Sequence, residues 1–210
     1  MSDDRNPQDN LQAIIGDLDS LTPDAREHFT KPKPAVAPEA QPPHQTQIVH
    51  SADQYSTDFT KSVRWVRERL PVGQSAVDIV AIGGLGGRVD QGLSQLHHLY
   101  MFQTDPRYAE GRMYLFSGES LTFLLKAGSH RIRVRGEPGQ EGREDVFGKH
   151  VGILPVREPS RITTKGLEWD VTDWQTEFGG QVSTSNHVLP ETQVVEVSTT
   201  RDVLFTIALK

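Results

Sequence analysis

The chain has 210 residues, a formal net charge of -6, 35% hydrophobic residues and no cysteine. That acidic balance, without a basic stripe interleaved with aromatics, excludes a general nucleic-acid binder, and the missing cysteines exclude a disulfide framework or thiolate metal site. No apolar stretch reaches membrane-spanning length and the polar start Met1-Ser2-Asp3-Asp4 lacks the features of a signal peptide, so a cytoplasmic protein of one or two domains is expected.

In chain order the first element is Ile14-Ile15, a short apolar piece ending at Gly16 and followed by Asp17-Leu18-Asp19-Ser20. If the backbone is still extended there, Asp17 and Asp19 point to one side and can share a Mg²⁺ ion, which also binds substrate phosphates. The competing reading is a solvated turn. Thr22 caps a short helix with Pro23 at its first position. Residues 30–47 hold five prolines and read as a loop insertion. Residues 47–51 form a strand leading to Asp53-Gln54-Tyr55-Ser56-Thr57-Asp58. There Ser56 or Thr57 caps a second helix, Asp58 lies in its first turn, and Phe59, Val63, Val66 and Leu70 form its core face. Asp58 and Lys61, three apart, are either an ordinary surface ion pair or a carboxylate and a cation at the mouth of a sheet.

Residues 79–82, Ile-Val-Ala-Ile, read as a buried strand that ends in Gly83-Gly84-Leu85-Gly86-Gly87. Such glycines bring backbone N–H groups close to a ligand, and a following helix points its positive end at the same spot. Arg88 can grip phosphate oxygens as a planar fork, and Asp90 can hold a metal or orient a nucleophile. The common nucleoside-triphosphate loop ending Gly-Lys-Ser/Thr is absent from the chain. The dinucleotide fingerprint fails as well, because its third glycine position is Val89. The helix from Asp90 is expected to bury Leu93, Leu96 and Tyr100, with His97 and His98 as surface or packing residues. Residues 113–116 form another strand. Alternating strands and helices predict a parallel sheet.

Near residue 118 the period changes to that of strands. Residues 121–125 and 131–134 flank Ala127-Gly128 as a predicted hairpin, and residues 137–145 form a Gly- and charge-rich loop. Further strands fall at 151–156, 161–164, 194–198 and 203–209, which predicts an antiparallel β-sandwich. The expected architecture is therefore an α/β domain over 1–118 and a β-sandwich over 119–210. Trp169 is either a stacking residue or a core aromatic of the sandwich.

Four ordered motifs carry a family resemblance: Gly16-Asp17-Leu18-Asp19-Ser20; Ser56-Thr57-Asp58-Phe59-Thr60-Lys61; Gly83 through Gln91; and Gly166-Leu167-Glu168-Trp169-Asp170 with Ser183-Thr184-Ser185-Asn186. Together they resemble thiamine pyrophosphokinases of the fungal type, over roughly residues 13–210. The resemblance implies transfer of pyrophosphate from ATP to the hydroxyl of thiamine with Mg²⁺, on a Rossmann-like catalytic domain followed by the sandwich. It implies that Asp17, Asp19 and Asp58 hold Mg²⁺, with Asp90, Arg88 and Lys61 completing the catalytic set. Gly83, Gly84, Gly86, Gly87, Arg88 and Asp90 would bind ATP phosphates. Gln54, Trp169, Ser183, Thr184, Ser185 and Asn186 would bind thiamine, where the sandwich of one subunit of a homodimer meets the catalytic domain of the other.

Two departures stand out. Many members outside the fungi carry an Asp where this chain has Tyr55, which leaves more of the metal charge to Asp17, Asp19 and Asp58. Family members also carry a strand, a helix and an Asp-Gly-rich motif ahead of the Gly16-Asp17 segment, so Met1 reads as an internal methionine of a longer protein. Without that strand the chain alone is expected to be inactive or poorly soluble, residues from about Ser120 staying folded. The alternatives are an isoform or fragment that dimerises or binds thiamine without turnover, and an unrelated sugar- or nucleotide-binding α/β protein.

Overall fold

A computed structural model of the chain describes residues 11–31, 45–70, 76–136 and 145–210. Most of the proline-rich insertion and of the loop expected at 137–145 lies outside the described residues. The chain divides into two compact units, Met1–Gln74 and Ser75–Lys210. In the first, β1 (Ala13–Gly16) and β2 (Gln47–His50) pair in parallel, Ile14 opposite Ile48 and Gly16 opposite His50. Helix α1 (Pro23–Thr30) starts where expected: the Thr22 hydroxyl accepts from the Ala25 N–H, with Pro23 in the first turn. Helix α2 (Asp58–Glu68) is capped by Thr57, whose hydroxyl accepts from the Thr60 N–H at 3.2 Å. Its inner face buries Val63, Thr60 and, unusually for a cation, Lys61.

The second unit opens with β3 (Ile79–Ile82), α3 (Val89–Met101), β4 (Met113–Phe116) and β5 (Ser120–Leu125). It continues with β6 (Gly128–Arg133), β7 (Phe147–Leu154), β8 (Ser160–Lys165), β9 (Trp174–Thr176), β10 (Ser183–His187), β11 (Val194–Thr199) and β12 (Val203–Leu209). One sheet has six strands in the order β10-β7-β12-β5-β4-β3, and a second has four in the order β6-β11-β8-β9. Every pairing is antiparallel except β3 with β4. The sequence alternation in β8 translates directly into burial, with Ser160, Ile162 and Thr164 inside and Arg161, Thr163 and Lys165 outside. Leu121, Phe123, Leu125, Val151, Ile153, Phe205 and Ile207 of the six-stranded sheet share one core with Ile162, Val195 and Val197 of the four-stranded sheet.

Several expectations are corrected. The β1–β2 and β3–β4 pairs are both parallel, as the alternation predicts, but they belong to different sheets. The chain passes residue 118 within one sheet, since β4 pairs antiparallel with β5. β5 and β6 do not form the hairpin: β5 lies between β4 and β12, while β6 pairs with β11 in the other sheet. Gly128, at φ 136°, turns the chain out of one sheet, and Lys126 pins the crossing by donating to Asp202 (2.6 Å) and to the Gln103 carbonyl (3.0 Å). β3 is not buried. It is an edge strand, with Val80 53% and Ile82 88% exposed. On α3 the buried pair is His98 and Leu99, while Leu93 is exposed and Leu96 and Tyr100 are half-buried. No helix among the described residues is long and apolar enough to cross a membrane.

Candidate active site

The first cluster forms where β1 stops. After Gly16 the backbone is not extended: Leu18 takes φ 63°, and the Asp19 N–H donates to the Asp17 carboxylate at 3.2 Å. This is the aspartate turn weighed above, so Asp17 and Asp19 do not share one side of a strand. Instead Asp17 meets the start of α2. Its backbone N–H donates to Asp58 Oδ1 (3.3 Å), and Lys61 Nζ donates to the same oxygen (3.0 Å). The Lys61 side chain is 6% exposed and that of Asp58 55% exposed, so a buried ammonium reaches outward to a half-open carboxylate. Gly16 makes this approach possible, because a Cβ there would lie 2.6 Å from Asp58 Oδ2. A cleft of about 370 Å³ opens beside Lys61, with Asp53, Arg64, Trp65 and Arg69 on its walls. The Ser56 hydroxyl, followed by the Tyr55 N–H, holds the Asp53 carboxyl below the usual carboxylate range. Gln54 and Tyr55 are exposed.

The glycine loop lies in the second unit. Gly83, Gly86 and Gly87 take φ values of 78°, 136° and 66°, which L side chains rarely adopt, whereas Gly84 packs within reach of Leu115. Arg88 is the N-cap residue of α3 but caps nothing with its side chain. Its guanidinium grips Asp90 as a fork, Nε to Oδ1 at 3.1 Å and Nη2 to Oδ2 at 2.6 Å, and this holds the Asp90 carboxyl below its ordinary value. Both side chains are mostly exposed, so the fork itself contributes little to stability.

The third cluster lies on β10, outside the strands expected from sequence. It is a strand at the edge of the six-stranded sheet, short and polar because only β7 pairs with it. Its register shifts between Ser183 and Asn186, and Ser185 takes φ 56° in that bulge. Thr184 and Ser185 are exposed, and Ser183 is half-buried. Asn186 is 6% exposed, and every hydrogen bond its amide makes goes to backbone. Oδ1 accepts from the N–H groups of Trp169 (3.1 Å) and His187 (2.8 Å), and Nδ2 donates to the Trp169 carbonyl (2.9 Å). Trp169 itself is 54% exposed, which removes it from the core. Two participants were not singled out from sequence. The His187 ring lies 5.0 Å from both the Trp169 ring, tilted by 46°, and the His150 ring, edge-on, and its Nδ1 donates to Glu168 Oε2 at 2.6 Å. Their only sequence signal is adjacency to Trp169 and Asn186.

Asp17, Asp58 and Lys61 are thus brought together in the first unit, and Arg88 with Asp90 and Trp169 with Asn186 in the second. Residues 6–109 match the family model "Thiamin pyrophosphokinase, catalytic domain", and residues 129–204 match "Thiamin pyrophosphokinase, vitamin B1 binding domain". The chain is 33% identical over 201 residues to "Thiamine pyrophosphokinase 3" of Oryza sativa subsp. japonica, covering 94% of this chain and 66% of the relative. It is 34% identical over 200 residues to "Thiamine pyrophosphokinase 1" of Arabidopsis thaliana, covering 94% and 65%. The chain therefore spans just under two thirds of the length of these curated relatives. Among solved structures, a thiamin pyrophosphokinase from Candida albicans superposes with a TM-score of 0.75 at 22% identity, over 95% of this chain and 74% of that one. The yeast enzyme superposes with a TM-score of 0.73 at 24% identity, over 95% and 69%. At these identities the structural likeness speaks for the fold.

Proposed function

We propose that this chain, which belongs to the thiamin pyrophosphokinase family, transfers the terminal pyrophosphate of ATP to the hydroxyl of thiamine, giving thiamine diphosphate and AMP. One observation carries the reading. The carboxylate–ammonium cluster of Asp17, Asp58 and Lys61 lies within the segment matched by the catalytic model, and the Trp169 cluster lies within the segment matched by the vitamin B1 binding model. In the reaction the thiamine oxygen bonds to the β-phosphorus, the bond from that phosphorus to the AMP oxygen breaks, and the hydroxyl proton passes to a carboxylate. Such transfer needs positioning and charge neutralisation more than covalent help.

Asp17 and Asp58, with Asp19 beside them, are the residues that would hold Mg²⁺. One or two carboxylates suit this ion, which keeps waters and takes substrate phosphate oxygens. Among the described residues no group of three His, Cys, Asp or Glu forms a ready metal cage. When bound, the ion neutralises charge on the polyphosphate. In the first unit Lys61 offers a fixed cation for phosphate, and in the second Arg88 offers a fork once Asp90 releases it. The glycines Gly83, Gly84, Gly86 and Gly87 give the loop its close approach to phosphate. Gln54, Trp169 and residues 183–186 are read as the thiamine side. The same proposal assigns catalysis to residues 1–118 on a Rossmann-like region and thiamine binding to 119–210, a division of roles and not of sheets since β3 and β4 share a sheet with β5, in a cytoplasmic homodimer.

The test is turnover with ATP, MgCl₂ and thiamine, by the purified chain and by a longer form carrying the strand and helix expected ahead of Gly16, following thiamine diphosphate and AMP together. Stoichiometric formation of both is expected, with loss on Asp58→Asn or on chelation of Mg²⁺. Formation of ADP in place of AMP, or full activity of Asp58→Asn, would reject the reading.

A further inference from the structure

The exposed indole of Trp169 is an anomaly that the fold has built deliberately. A tryptophan is normally highly buried, yet this one is 54% exposed while its peptide is bonded on both sides. Both polar groups of its peptide, the N–H and the C=O, are bound by the side chain of Asn186. The Glu168 N–H donates to the His187 carbonyl at 2.8 Å, which ties the same two segments once more. The indole also has a neighbour on one side. His187 packs against it at 5.0 Å with a 46° tilt, and the imidazole is fixed in turn by Glu168 through Nδ1 and by the edge of His150. Every polar contact of Asn186 goes to backbone, and 6% exposure leaves it almost no surface for a ligand.

We infer that Asn186, His187 and Glu168 are positioning residues, a bracket that holds the Trp169 indole as an open aromatic platform for a flat heteroaromatic ring. The inference rests on the reading of this cluster as the thiamine side of the site. It departs from that reading in one respect: Asn186 acts through Trp169, and His187 and Glu168 join the site as its support. The chemistry recognised is a planar ring, electron-poor or cationic, which gains most from a tryptophan face. Ser185, in the bulge beside Asn186, stays free to give a hydroxyl to that ring's polar edge.

A double-mutant cycle tests this, using the whole chain. Trp169→Ala is expected to raise the thiamine KM by about 10- to 100-fold, the scale of an aromatic stacking contact, with the ATP KM unmoved. Asn186→Ala and His187→Ala are each expected to raise the thiamine KM in the wild-type background and to add nothing in the Trp169→Ala background. His187→Phe, which keeps a ring against the indole, is expected to restore most of the affinity lost in His187→Ala. Multiplying effects in the double variants would show direct contact and overturn the inference, as would failure of His187→Phe to rescue. If the alanine variant of Asn186 does not fold, Asn186→Asp, which keeps the acceptor and loses the donor, serves in its place. Acrylamide quenching of ligand-free protein, with Trp169→Phe as the subtraction reference, reads the bracket apart from turnover. Asn186→Ala and His187→Ala are expected to change the Trp169 component, and an unchanged component would overturn the bracket even in an active enzyme. An inactive wild type with altered quenching would instead reject the thiamine reading and leave the bracket standing.

Discussion

Gly16→Ala isolates placement of the Asp58 carboxylate from stability of the fold. The added methyl would sit 2.6 Å from Asp58 Oδ2, against an ordinary contact of about 3.5 Å, so the carboxylate must retreat by about 1 Å. It can do so cheaply, because its side chain is 55% exposed and free to turn toward solvent. Retreat stretches the Asp17 N–H bond, already 3.3 Å, past useful length and loosens the 3.0 Å bond from Lys61. The Asp58 end is half-exposed and can turn while still facing the buried Lys61 ammonium, so loosening these contacts costs about 0.2–1 kcal/mol. Gly16 does not use a positive φ, so alanine recovers about 0.4–1 kcal/mol by restricting the unfolded chain. The two nearly cancel, and the urea midpoint is expected to stay close to wild type. Turnover is expected to fall about 100-fold, the usual consequence of a 1 Å misplacement at a reacting centre. Wild-type turnover in Gly16→Ala would refute the placement argument, and a large loss of stability would refute the claim that the carboxylate retreats freely.

Asp90→Asn breaks the charged fork with Arg88 while keeping its shape, so transfer is expected to fall steeply with the melting temperature unchanged; near-normal AMP production would remove Asp90 from the catalytic set. Burial holds the His98 imidazole below its ordinary value, the hydrogen bond its Nδ1 donates to the Ser94 carbonyl working the other way. The unfolded chain therefore takes up that proton first: the contribution to stability is complete above about pH 6.5 and is lost as pH falls through the depressed folded value. Thermal melts from pH 8 to 5 should show this slope weakened in His98→Gln, and an identical slope would discount the group. Phe205 is fully buried and 5.3 Å from the ring of Phe123, its partner on the neighbouring strand of the same sheet, in the core which that sheet shares with the four-stranded one. Phe205→Ala should cost about 3–5 kcal/mol in urea unfolding, and a loss below about 1 kcal/mol would mean that the core collapses around the gap.

What was legible in the sequence was local. Thr22 with Pro23, and Thr57 ahead of Asp58, announce their helices because a cap is decided within four residues. The apolar run at β12 and the strict alternation at β8 announce strands for the same reason. Partner choice was not legible. Residues 121–134 carry every mark of a hairpin, yet β6 finds β11 some sixty residues later, and the cue, Lys126 reaching Asp202, spans 76 residues. β3 is as apolar as a central strand, and no pattern in Ile-Val-Ala-Ile says that one of its edges goes unpaired in its sheet. The site divides in the same way. The residues that bear charge were named from their motifs, whereas the Leu18 turn and the His187–Glu168 contact depend on a backbone angle and on a neighbouring strand.

The order of strands also sets a timetable. β12 lies at the heart of the six-stranded sheet, between β7 and β5, although it is the last strand in the chain. During synthesis β5 and β7 emerge well before it and cannot reach each other across the place it will fill. Until residues 203–209 leave the ribosome, two apolar strands therefore wait with open edges, a state prone to wrong pairing. Closure of the six-stranded sheet thus waits on residues 203–209.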